Sequence, residues 1–246
     1  MADLVGIIGT GITPRTQIYR TVTFKRLVEL LTLKRNVLVR PRKWPDTFED
    51  LLGQSILRIG SRDRGTFSTE HIYGQCWTLN TVSDAIWQIY SEGKDGFRLR
   101  TNVGKLLGSL KSQVADPDIN CHIGRVRYLR DHELVDFGKT HFAQPEGYDS
   151  DVVAEAFMVK RRAFDHEKEV RILCQAPNVG EQGDLFPYTL EPNEIIDQIL
   201  VHPLVPYADF KRTKQEIREM GFAGEIKRSL LYKKPEGFEI QWGPRI

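Results

Sequence analysis

The stretch Arg162-Ala163-Phe164-Asp165-His166-Glu167-Lys168-Glu169-Val170-Arg171-Ile172-Leu173 sets two carboxylates two residues apart at the mouth of a short apolar run. Val170 and Ile172 alternate with Arg171, the pattern of a strand with one buried face. If extended backbone begins near Glu167, side chains at i and i+2 point the same way. Glu167 and Glu169 then share one face and Lys168 takes the other. Neighbouring carboxylates disfavour each other's ionisation, so such a pair is solvated, paired or put to use. Taken alone, the stretch reads most simply as a solvated strand entrance, its glutamates paired to Arg161, Arg162 or Arg171.

With 246 residues, 40% apolar and 28% charged, the chain has the composition of an ordinary globular protein able to bury one sizeable core. The expected organisation is a single domain over 1–246, with 1–16 as an N-terminal extension, 17–203 as the core and 204–246 as a C-terminal helix and strands. A net charge of +2 does not mark a dedicated nucleic-acid binder. Basic residues are nevertheless dense at Lys34, Arg35, Arg40, Arg42 and Lys43, and again at Arg125, Arg127 and Arg130. Either group is a patch for a phosphate-bearing ligand or a set of scattered solvated charges, the second being simpler for any one residue.

Cys76, Cys121 and Cys174 cannot all pair and lack metal-ligand spacing, which predicts free buried thiols, a reducing compartment and no structural metal. No apolar run reaches membrane-spanning length, and Met1 to Gly11 lacks the basic start of a secretion signal. These features predict a cytoplasmic protein with no membrane partner. Gly6, Gly9 and Gly11 do not have G-x-G-x-x-G spacing, and Pro14 interrupts any helix after them, so they make a weak dinucleotide loop.

Periodicity predicts strands at Gln17–Val22, Val37–Val39, Ile72–Leu79, Gly96–Arg100, Ile123–Leu129, Ile195–Val201, Glu225–Tyr232 and Phe238–Trp242. Helices are predicted at Phe24–Leu33 behind a Thr23 cap, at about Asp46–Leu57, and after Thr81 with Asp84 completing a capping box. Others follow Asn102, run through Val152–Phe157, and span Tyr207–Met220 up to Gly221. Along the helix after Thr81, Val82, Ala85, Ile86, Ile89 and Tyr90 form the apolar stripe and Trp87 lies off it. Gly60–Glu70, Phe137–Asp151 and Ala176–Asp184 read as loops. Without a strict strand–helix alternation, the fold class is α+β with a mixed, mostly antiparallel sheet and flanking helices.

Four stretches in order resemble one prokaryotic domain family of unknown function found near phage-defence and toxin genes. They are Tyr19-Arg20-Thr21; Trp44-Pro45-Asp46-Thr47-Phe48-Glu49; Tyr73-Gly74-Gln75-Cys76-Trp77-Thr78 with Ala85–Tyr90 and Gly96–Leu99; and Phe164–Arg171. That layout is similar in turn to the mono-ADP-ribosyltransferases, which implies a cleft for NAD as substrate. The resemblance makes Glu169 the catalytic glutamate and Glu167 the first member of E-x-E. It makes Arg20, with Tyr19, the holder of phosphate or ribose. Thr78, after Trp77, falls at the hydroxyl position, with Ser91 as an alternative because Cys76-Trp77-Thr78-Leu79 lacks a Ser-Thr-Ser. Trp87 or Tyr90 is left to stack on nicotinamide. A protein or nucleic-acid acceptor and a neutralising partner protein are further implications.

Cleaving the nicotinamide–ribose bond develops positive charge on the ribose, which a nearby carboxylate stabilises. A second carboxylate serves as general base toward the acceptor. Two other functions fit the same residues: a divalent-metal nuclease using Glu49, Glu167 and Glu169, and a nucleotide-binding module without turnover.

Overall fold

The computed structural model describes residues 5–44, 56–59, 62–66, 68–113, 116, 118–141, 150–177, 183–237, 239–240 and 242–243. In chain order the strands are β1 (Val5–Ile8), β2 (Gln17–Val22), β3 (Arg35–Val39), β4 (Ile56–Ile59), β5 (Arg62–Thr66), β6 (Ile72–Thr78), β7 (Phe97–Asn102), β8 (Asn120–Arg125), β9 (Arg127–Leu129), β10 (Val159–Arg161), β11 (Glu169–Gln175), β12 (Leu185–Thr189), β13 (Gln198–Val201) and β14 (Glu225–Arg228). The helices are α1 (Phe24–Thr32), α2 (Asp84–Tyr90), α3 (Val103–Gln113), α4 (Asp131–His141), α5 (Ser150–Ala156), α6 (Pro192–Ile195) and α7 (Tyr207–Glu219).

A ten-stranded mixed sheet carries the fold, in the order β1-β8-β11-β6-β2-β7-β13-β14, with β3 branching from β6 and carrying β12. Only the outer pairs β1–β8 and β13–β14 are parallel; the other ladders of this sheet are antiparallel. The α+β class with a mostly antiparallel sheet and flanking helices is therefore as expected. Residues 5–8, expected in an extension, form an edge strand of this sheet, and β14 closes the opposite edge.

β11 lies at the centre, hydrogen-bonded along its length to β6 on one side and β8 on the other. Val170, Ile172 and Cys174 join the main core, with Ile123 and the α3 residues Leu106 and Leu110, while Leu173 joins a second core with Phe157, Met158 and Val153. Both faces are thus covered, and every residue of β11 is buried. This corrects the expectation of a strand with one buried face. Extended backbone also begins at Glu169, not near Glu167: Arg162–Glu167 is a run of 3-10 turns, closed by Lys168 at φ 47°.

Local signals set most helix starts. The Thr23 hydroxyl accepts from the Arg26 N–H at 3.4 Å, and Asn102 Oδ1 accepts from the Lys105 N–H at 2.9 Å. For α2 the cap is Ser83, which accepts from the Ile86 N–H, and not Thr81. Several expectations fail. Part of Gly60–Glu70 belongs to the β4–β5 ladder, and α4 occupies the start of Phe137–Asp151. Ile123–Leu129 is divided between β8 and β9, β14 stops at Arg228, and residues 239–240 and 242–243 are not in a strand. The helix expected at 46–57 lies outside the described residues except at its end, which is strand β4.

Cys121 and Cys174 face each other across β8 and β11 and form a disulfide that does not include Cys76. Three free buried thiols were expected; two are cross-linked, which removes the argument for a reducing compartment. Among the described residues no helix is long and apolar enough to cross a membrane.

Candidate active site

The sheet opens at β6. Its last residue, Thr78, pairs with Tyr19 of β2, whereas Gly74 pairs with Val39 of β3. Between those two points β2 and β3 diverge, leaving a cleft over Gln75, Cys76 and Trp77. The cavity measures about 760 Å³ and its walls include Tyr19, Arg20, Trp44, Gly74–Thr78, Tyr90, Lys160, Phe164, His166, Glu167 and Glu169. That volume suits a drug-sized or dinucleotide ligand.

The structure brings together Glu169, Glu167, Arg20, Tyr19, Thr78, Trp77 and Tyr90 around this cleft. Trp87 is not among them: it is buried, with its ring edge-on to His202 at 5.0 Å. Ser91 spends its hydroxyl on the Gly96 N–H at 2.8 Å. Glu49 lies outside the described residues.

The two glutamates meet through a residue the sequence did not single out. Lys160 Nζ donates to Glu167 Oε2 at 2.6 Å and to Glu169 Oε1 at 3.0 Å. Arg171, fully buried, donates from Nε and Nη2 to Glu169 Oε2, both at 2.7 Å, and from Nη1 to the Phe157 carbonyl. Trp44 lies against the Arg171 guanidinium, 4.8 Å from its ring. It can do so because residue 74 is glycine: a Cβ there would stand 2.5 Å from Trp44 Cζ2. Lys160 was hard to find because the three-residue β10 is too short for a readable alternation. Its only sequence signal is a lysine directly after the apolar pair Met158-Val159.

Thr78 holds the turn that presents Glu167. Its hydroxyl donates to the Glu167 carbonyl at 2.5 Å and accepts from the Asn80 N–H at 3.0 Å. The Tyr90 hydroxyl donates to Glu167 Oε1 at 3.3 Å, and the Glu169 N–H donates to the Tyr128 hydroxyl at 2.7 Å.

These surroundings separate the two carboxyls. Burial, then Glu169, pushes Glu167 up to about 7 despite Lys160. Burial also works against ionisation of Glu169, but Arg171 first, then Glu167 and Lys160, outweigh it and hold this carboxyl down at about 2. The pair therefore titrates as a unit, with one charge retained far into acid and the second proton leaving near neutrality. Across the cleft, Arg20 is part-buried and makes no side-chain hydrogen bond or ion pair among the described residues. Burial lowers its affinity for a proton from the ordinary guanidinium value.

No family model matches the chain, and no curated protein matches it. Among solved structures it is similar to DarT from Thermus sp. 2.9 in complex with NAD+, at TM-score 0.41 and 10% identity over 89% of this chain and 98% of that one. DarT in complex with ADP-ribosylated ssDNA gives TM-score 0.41 and 9% identity, covering 89% and 97%. The carba-NAD+ complex gives 0.39 and 11%, covering 88% and 97%. Likeness at this level carries no chemical argument, and the cleft must supply its own.

What the cleft offers is a guanidinium that is unpaired among the described residues, aromatic surfaces at Tyr19, Trp77 and Tyr90, and a carboxylate pair of unequal basicity. Among the described residues no group of three or more His, Cys, Asp or Glu is placed to hold a metal. Glu167 and Glu169 already face Lys160 and Arg171, two cations standing where a divalent ion would have to enter.

Proposed function

We propose that the chain is an NAD-consuming mono-ADP-ribosyltransferase with a macromolecular acceptor, the role its motif order resembles. One observation carries the reading. A guanidinium with no hydrogen bond or ion pair among the described residues and a tuned glutamate pair, about 150 residues apart in sequence, line a single dinucleotide-sized cleft.

In this reading Arg20 grips the diphosphate through its planar fork. Glu169 stays ionised and stabilises the ribose as positive charge develops; Arg171 takes both lone pairs of Oε2, and Oε1 keeps one beyond the lone pair given to Lys160. The bond from ribose C1 to the nicotinamide nitrogen breaks, and its electron pair leaves with nicotinamide, cancelling the ring's charge. An acceptor oxygen or nitrogen donates a lone pair to C1, and its proton passes to Glu167. A base poised near 7 suits that step, a role worth about 10²–10⁴-fold. Tyr90 is the residue left to stack on nicotinamide, since Trp87 does not reach the cleft. The resembling family's setting makes a toxin or phage-defence effector the corresponding biological role.

A nucleotide-binding module without turnover is the second reading, favoured by the two cations that already neutralise the glutamates. Incubation with NAD labelled on its adenylate phosphate separates the two. Label covalently attached to protein or nucleic acid, and lost in Glu169→Gln, supports the transferase. Tight NAD binding with no label transferred and no nicotinamide released supports the module.

A further inference from the structure

Two sequence features that the cleft does not use come together elsewhere. The Gly9-Thr10-Gly11 turn after β1, and Arg125 and Arg127 at the β8–β9 junction, wall a second cavity of about 610 Å³, joined by Arg162. Arg125, Arg127 and Arg162 are exposed, and their side chains make no hydrogen bond or ion pair among the described residues. The acidic groups on this wall are Asp165, paired with Lys168 at 2.6 Å, and Glu155, 3.6 Å from His141. Gly9 and Gly11 have φ values of 73° and 87°. At Gly11 the missing Cβ also leaves room for Arg125, whose Nη1 would otherwise be 3.1 Å away.

This cavity and the cleft share one partition. Along the 3-10 segment, Arg162 and Asp165 line the second cavity, while Phe164, His166 and Glu167 line the cleft. Tyr128, on the wall of the second cavity, accepts from the Glu169 N–H. A chain lying in the second cavity therefore runs alongside the candidate general base.

We infer that Arg125, Arg127 and Arg162 form a phosphate-binding track for a single-stranded polynucleotide, whose base crosses the 162–167 partition to reach Glu167. The last step rests on the transferase reading; the binding itself does not. The Arg127 guanidinium lies over the Phe137 ring, 5.1 Å from its centre, and guanidinium forks with no hydrogen bond or ion pair among the described residues match phosphate oxygens. Successive phosphates along one strand account for several cations at separate points, and a base held in a duplex could not cross the partition.

Anisotropy of a fluorescent 12-nucleotide DNA or RNA single strand, titrated with the full chain and no NAD, tests this. Saturable, salt-sensitive binding is expected, one of the two sugars identifying the preferred polymer. Arg125→Glu with Arg127→Glu should weaken it at least about tenfold and flatten the log K against log salt slope by about 0.7 per lost phosphate contact. Arg162→Gln should weaken it in the same direction. The charge-matched control Lys25→Glu with Lys214→Glu should stay within about twofold. A thermal melt checks that each variant is folded, and Arg162→Gln keeps the test open if the double variant is not. Equal losses in control and double variant, binding of duplex as tight as of single strand, or displacement by poly-glutamate as effective as by unlabelled strand would overturn the inference. With NAD absent, failure here leaves the cleft reading intact, and a cleft that ignores NAD leaves the track intact.

Discussion

Arg171 donates two hydrogen bonds to a single oxygen of Glu169, each at 2.7 Å, from a position with no exposure to solvent. Both residues lie on β11, so Arg171 fixes one oxygen of the carboxylate from its own strand while Lys160 takes the other. Arg171→Ala leaves Glu169 buried beside one cation only and should cost about 3–5 kcal/mol of stability, read by urea denaturation. Arg171→Lys should recover less than half of it, having no fork to span Glu169 and the Phe157 carbonyl. A loss below about 1 kcal/mol would show that the ion pair does not hold the strand entrance.

Glu167 makes stability depend on pH in a defined direction. Its folded value of about 7 lies above the ordinary 4.5, so the native state binds its proton more tightly than the unfolded chain does. Its contribution is favourable below about 7 and is lost as pH rises through that value. Glu169, held at about 2, acts oppositely: its contribution is present above its ordinary 4.5 and is lost as pH falls toward 2. Denaturation curves from pH 4.5 to 8 should show wild type losing stability relative to Glu167→Gln. A difference that does not change with pH would contradict the raised value. In the transferase reading the same group gives label transfer a rising limb centred near pH 7.

Arg20 carries the anion end of the cleft. Arg20→Gln should weaken NAD by roughly 1.5–3 kcal/mol, about 10- to 150-fold, the usual loss for a charged hydrogen bond. Arg20→Lys should restore part of it, because an ammonium keeps the charge but not the fork. Unchanged affinity in Arg20→Gln, measured by calorimetry, would remove the guanidinium from the site.

Much of this arrangement was legible in the sequence because it is local. Gln17–Val22 alternates and forms β2 with those ends, and Thr23 and Asn102 are caps whose acceptors lie three residues from their donors. Tyr19, Arg20, Trp77, Thr78, Tyr90, Glu167 and Glu169 all reach the cleft, although only the order of their motifs suggested that they would meet. What stayed hidden depends on long-range pairing. Lys160 joins the glutamates from a three-residue strand that, among the described residues, pairs only with β9. The Cys121–Cys174 bond spans 53 residues and exists because β8 and β11 are neighbours. Trp87 was misjudged for a related reason. The sequence stripe runs through Val82, Ala85, Ile86, Ile89 and Tyr90; Ile86 is buried, but Val82 precedes the helix and Ile89 and Tyr90 are exposed at 45% and 44%.

Trp87 therefore separates packing from binding. Trp87→Ala should cost about 3–5 kcal/mol, as expected for a large aromatic removed from a core. Trp87→Phe, which keeps a ring against His202, should leave NAD affinity within about twofold. A change in affinity larger than that without a matching loss of stability would return Trp87 to the site.

The most direct measurement is NAD added to wild type and to Glu169→Gln, with binding followed by calorimetry and nicotinamide release by chromatography. Both proteins should bind one NAD per chain, and release should fall at least about 10²-fold in the variant, the loss typical of removing a charge-stabilising group. Failure of either protein to bind NAD at millimolar concentration, or release at the wild-type rate from Glu169→Gln, would contradict the account.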